Sequence, residues 1–216
     1  MGKKMQFASL SVAAVMLVTS AVLLVYPQSV GAQQEPANCK GATAKRLLIA
    51  ARNNDIPTVS RLIDCGVDPS AEALWRQVVS PKYDEVMTLR ATPLHAAAWN
   101  GHLQVIRILI NAGADLDAFD EWNFTPLMIA AETGKTKVIR LLLSAGADAN
   151  LKSRCANCRN DTALTIASEF GHAEAVRLLL ENGADRQHKR KEGLSARNLA
   201  VLNGHGNVVT VFRRIK

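Results

Sequence analysis

The 216-residue chain lacks the residue sets that chemistry requires. No serine, histidine and aspartate set, no metal-ligand cluster and no glycine loop able to cradle a phosphate stands out, which argues against hydrolases, metalloenzymes and nucleotide-binding proteins. No enzyme activity, metal or cofactor is therefore expected. Aromatic residues make up only 5% of the chain, and the cysteines number four. Charge is missing altogether from Phe7 to Tyr26, an apolar run long enough to span a bilayer. Lys3 and Lys4 precede that run, and Val30-Gly31-Ala32 closes it on small residues ahead of a polar stretch. Residues 1–32 therefore read as a signal peptide or, from the same residues, as an uncleaved anchor, with a linker at 33–39. Either reading puts the folded part outside the cytoplasm, periplasmic or secreted, and tied to a membrane only if the leader stays. The whole chain is 48% hydrophobic and 21% charged, the composition of a globular protein once the leader is set aside.

What is present is repetition. Thr92-Pro93-Leu94-His95 returns as Thr125-Pro126-Leu127-Met128, as Thr162-Ala163-Leu164-Thr165 and, worn, as Ser195-Ala196-Arg197-Asn198, in steps of 33, 37 and 33 residues. A second marker keeps phase: Gly113-Ala114-Asp115, Gly146-Ala147-Asp148 and Gly183-Ala184-Asp185 each begin 21 residues after their threonine. Thr92 suits a helix N-cap and Pro93 the first helical position, where its missing amide costs nothing. Leu94, Ala96 and Ala97 give a short helix that a neighbour can approach closely. Val105, Ile106, Leu109 and Ile110 give a second helix over Leu103 to Asn111 with one apolar stripe. Gly101 separates the two, and Gly113 ends the second from a left-handed conformation. One such pair cannot bury its apolar face alone; stacked neighbours make the core.

A 33-residue unit bearing T-P-L-H-x-A resembles the ankyrin repeat. The resemblance covers about Lys40 to the C-terminus and implies an all-α solenoid of four helix-turn-helix repeats joined by hairpin loops. These lie at about 43–70, 92–124, 125–161 and 162–194, with an insertion at 71–90 and a C-terminal cap at 195–216. It also implies structural histidines: His95, His102, His172 and His205 occupy positions that carry backbone hydrogen bonds within and between repeats. Asn123 and Asn160 stand where a hairpin glycine is usual, so their glycosylation sequons follow from the repeat.

The cysteines pair by position. Cys39 precedes the first helix and Cys65 ends the second, and antiparallel helices bring such ends together, so a disulfide is expected in an oxidising compartment, the alternative being two unpaired buried thiols. Cys155 and Cys158 sit in an enlarged hairpin. A local disulfide, a redox dithiol flanked by Arg154 and Arg159, and half of a zinc site all remain open there. The insertion AEALWRQVVSPKYDEVMTLR is expected to hold a short helix ahead of Pro81, and either adds to the binding face or packs Trp75 and Tyr83 on the first repeat.

Function then falls to the surface. The resemblance implies recognition of another protein by hairpin tips and inner helices, which selects Trp99, Asn100, Phe119, Trp122, Phe124, Glu132, Glu169 and Phe170. The aromatics among them either anchor a partner or stack on the next repeat. From Arg186 to Lys216, eight Lys and Arg face Glu192 alone. That basic end is either a solvated cap or a dock for an acidic partner or anionic lipid; the compartment speaks against nucleic acid. A monomer with a protein partner is the expectation, in the manner of envelope ankyrin proteins that inhibit or assist an enzyme.

Overall fold

A computed structural model describes residue 39 and residues 42–80, 85–154 and 159–215, with the backbone alone for 75–80 and 85–89. The leader, most of the linker, Lys40, Pro81, Tyr83, Cys155 and Cys158 lie outside the described residues, as does the side chain of Trp75.

Threonine and serine set the repeat. Thr43, Thr125, Thr162 and Ser195 each accept a backbone amide three residues on at 3.3 Å, the N-cap bond that satisfies one orphan donor of a helix. The inner helices start there: α1 (Ala44–Arg52), α3 (Pro93–Asn100), α5 (Pro126–Glu132), α7 (Ala163–Glu169) and α9 (Ala196–Leu202). Thr92 caps differently from its copies. Its hydroxyl lies 2.7 Å from Nδ1 of His95, which also accepts the Thr92 amide at 3.3 Å. A turn after each inner helix leads to the outer helices α2 (Ile56–Asp64), α4 (Leu103–Asn111), α6 (Thr136–Ser144), α8 (Ala173–Glu181) and α10 (Gly206–Arg214).

The inner helices pack in series, α1 on α3, α3 on α5, α5 on α7 and α7 on α9; the outer ones do the same. Alanines at 97, 98, 130, 131, 163, 167, 196 and 200, all fully buried, let the inner helices approach. Val105, Ile106 and Leu109, and their counterparts Val138, Ile139 and Leu142, fill the layer between inner and outer rows at no more than 1% exposure. Each such large side chain stabilises the stack by roughly 1.5–3 kcal/mol.

Two polar ladders fix the register along the stack. Nε2 of His102, His172 and His205 lies 2.9, 2.9 and 2.8 Å from the carbonyl oxygens of Arg52, Glu132 and Glu169, each at the end of the preceding inner helix. On the opposite turns, the amides of Asp115, Asp148 and Asp185 donate to the side chains of Ser70, Asp117 and Asn150 one repeat earlier. Backbone groups that a short helix cannot pair internally are satisfied from next door.

Two expectations are corrected. Residues 195–215 are more than a short cap: they fold as a fifth helix pair, closed by Arg186, whose Nη1 and Nη2 donate to the carbonyls of Ile215 and Phe212. The insertion holds no helix among the described residues. It forms an antiparallel hairpin, β1 (Ala73–Ser80) with β2 (Glu85–Ala91), paired from Ala73↔Ala91 to Ser80↔Glu85 with an irregularity at Val78/Ser80. Val78, Val79, Val86, Met87, Thr88 and Leu89 favour a pleated strand, and that preference outweighs the weaker helical spacing.

Candidate functional site

Hairpin tips position the exposed side chains. Asn123 and Asn160 hold φ of 60° and 62°, the left-handed turn that Gly193 supplies in the next hairpin at 80°; asparagine is among the few side chains that tolerate it. In the first tip the Asp120 carboxylate accepts the amides of Trp122 at 2.9 Å and Phe124 at 2.8 Å, which fixes the loop that presents Trp122. That tip is joined to the insertion in both directions: the Glu121 amide donates to the Arg90 carbonyl, and the Arg90 amide to Oε2 of Glu121, each at 3.0 Å.

The selected residues separate into two groups. Trp99, Trp122 and Phe170 are 38%, 44% and 51% exposed, large apolar side chains left at the surface, the first two in the repeat at 92–124 and the third in the repeat at 162–194. Phe170 stacks on His172 with centroids 6.5 Å apart, so its ring lies beside the α5 end that His172 caps at Glu132. Phe119 is half-buried beneath Arg154, whose guanidinium carbon is 4.7 Å from the ring centroid. Phe124 is drawn inward: its ring packs against the core, and its carbonyl lies 3.0 Å from Nε2 of buried His95. Asn100 turns its amide back onto the Ala96 carbonyl at 2.8 Å.

Carboxylates run between the aromatics. Burial pushes Asp120 up to about 6, with Glu132 and Glu121 adding repulsion. Burial also raises Glu132, as does the charge of Glu169. Glu169 goes the other way: burial raises it, but Arg190 and Arg159 outweigh burial and hold it below the ordinary range. Arg190 is 2% exposed at its side chain and pairs with Asp161 and with Oε2 of Glu169, the latter at 2.5 Å. Arg159 reaches Oε1 of Glu169 at 3.1 Å. Sequence reading missed this cluster, although a signal existed. Arg190 occupies the position of Asp120 in its own hairpin, with the same amide bond to the residue four on, so the charge reverses between equivalent sites.

The histidines behave as structural groups. His95 accepts at Nδ1 and donates from Nε2 to Phe124, and burial holds it down at about 4. Cys39 and Cys65 form a disulfide; the Cys155 and Cys158 pair lies outside the described residues. Two cations of the basic end, Arg186 and Arg190, serve internal contacts rather than the surface. Among the described residues no group of histidine, cysteine and carboxylates could hold a metal ion. No helix there is long and apolar enough to cross a membrane.

Comparison with known proteins agrees with the geometry. A family model described as Ankyrin repeats (3 copies) matches residues 47–153 and 152–213. A curated relative, ankyrin repeat domain-containing protein 49 of Bos taurus, is 41% identical over 75 residues. Those residues are 35% of this chain and 26% of the relative, so the match spans about a quarter of the relative's length.

Proposed function

Because the chain belongs to the ankyrin-repeat family, we propose that it is a non-catalytic interaction scaffold of the cell envelope that binds a partner protein through its hairpin tips and inner helices. Ankyrin repeats are interaction modules, and a fold of this kind gives the mode of recognition without the partner. The observation that carries the reading is the exposure of Trp99 and Trp122 in one repeat and of Phe170 two repeats on, in a stack whose polar ladders hold them in register. Large aromatics on a rigid frame bind at low entropic cost and dominate interface energetics. Support for the envelope comes from the leader pattern of residues 1–32 and from the Cys39–Cys65 disulfide, which persists in oxidising compartments.

The test is affinity capture of the full chain from its own envelope extract, in parallel with Trp99→Ala and Trp122→Ala variants of unchanged melting temperature. The same co-eluting protein, retained by the parent and lost from both variants, is the expected result. Equal retention by all three would end the reading.

A further inference from the structure

The inner face combines aromatic exposure with carboxylates that no described side chain pairs with a cation. Asp120 and Glu132 are half-buried, and among the described residues neither forms an ion pair. Glu132 ends α5, directly beside α3, which carries Trp99, and beside α7, after which Phe170 follows. Asp120 holds the loop of Trp122 and feels the charge of Glu132. The strip has defined ends. At one, Glu169 is neutralised by Arg190 and Arg159. At the other, Glu121 takes the Arg90 amide and Arg90 pairs with Glu72 at 3.4 Å.

Resting on the interface reading above, we propose that the strip of Trp99, Asp120, Trp122, Glu132 and Phe170 receives a partner segment that presents lysine or arginine side chains. Charge complementarity selects that occupant. A cation over an indole or phenyl face is attracted by the ring, and carboxylates of the same strip accept its hydrogen bonds. The protein already makes the first of these contacts internally, with Arg154 over Phe119. An acidic segment would meet the carboxylates of Asp120, Glu121 and Glu132, while Arg159 and Arg190 beside Glu169 are committed to Glu169 and Asp161. Such like-charge juxtaposition is what excludes wrong partners.

The probe is a fluorescein-labelled peptide alternating glycine with lysine, compared with glycine–glutamate and glycine–glutamine counterparts by anisotropy against the full chain. The formal net charge of +7 repels the lysine peptide at long range, so its retention reports the local strip. The lysine peptide should bind saturably, about tenfold tighter than the glutamine peptide, and should alter tryptophan fluorescence. Glu132→Gln, which keeps shape and helix, should weaken it about fivefold or more while the melting temperature holds. Stronger binding of the glutamate peptide, or an unchanged lysine affinity in Glu132→Gln, would overturn the proposal. The two readings also separate in the capture experiment. Partner loss in Trp99→Ala but not in Glu132→Gln leaves the interface standing and removes the cationic partner; partner retention in both tryptophan variants removes the interface itself.

Discussion

Nη2 of Arg190 lies 2.5 Å from Oε2 of Glu169, a contact that reaches from the last hairpin back to the end of α7. The same guanidinium meets Asp161, so one buried cation ties together two carboxylates at the junction of the fourth and fifth helix pairs. Arg190→Ala would leave Asp161, 7% exposed at its side chain, with Arg159 alone at 3.6 Å. Removing one partner of a buried ion cluster costs roughly 3–5 kcal/mol. A loss of about 3 kcal/mol in urea denaturation is expected, toward the low end because Glu169 retains Arg159.

Gly171 and Gly183 both hold left-handed backbone, at φ of 78° and 83°. A β-carbon at Gly183 would meet nothing, whereas one at Gly171 would come within 2.6 Å of the His205 ring, which caps the Glu169 carbonyl. Each alanine substitution carries the left-handed penalty of about 1–2 kcal/mol. Gly171→Ala should cost at least about 1 kcal/mol more, because it also dislodges a hydrogen-bonded ring. Equal midpoints for the two variants would show that the histidine ladder does not hold the stack.

Cys39 and Cys65 are 26 residues apart in sequence. Closing a loop of that length lowers the entropy of the unfolded chain by the equivalent of about 3–4 kcal/mol. Reduction, or the double change to serine, should therefore unfold the first helix pair at lower denaturant. Amide exchange in α1 and α2 should accelerate more than in α7 and α8, because each repeat contacts only its neighbours.

His95 and Asp120 give opposite pH dependences. His95 titrates at about 4 when folded against 6.5 ordinarily, so the unfolded chain takes up the proton first as pH falls. Its contribution to stability, up to about 3 kcal/mol, is lost between pH 6.5 and 4. Asp120, raised to about 6 from 3.8, holds a proton when folded that the unfolded chain releases. Its contribution grows as pH falls across that interval. His95→Gln should consequently lose less stability than the parent between pH 7 and pH 4.5, measured as the shift in urea midpoint.

The backbone of this account was legible in the sequence because each repeat states its own punctuation. Thr125, Thr162 and Ser195 cap as their positions require, and Asn54, at φ 58°, takes the place that glycine holds elsewhere. The insertion misled because Trp75 to Val79 fits either period, and strand pairing with 85–91 is a non-local fact that one segment does not disclose. The fifth helix pair was hidden by worn capping residues at Ser195 to Asn198, while Val208 and Phe212 kept the core spacing beneath them. On the inner face, exposure of Trp99, Trp122 and Phe170 followed from repeat phase. The inward turn of Phe124 did not, since it depends on the loop that Asp120 ties.

Site-specific photo-crosslinking tests the central claim most directly. A photoreactive residue is placed in the full chain at position 99, 122 or 170, and at exposed Arg107 or Lys137 on the outer helices, and irradiated in the producing cells. The account predicts one common crosslinked protein from the first three positions and none from the two on the outer helices. Crosslinks to that protein from Arg107 and Lys137 alone would contradict it.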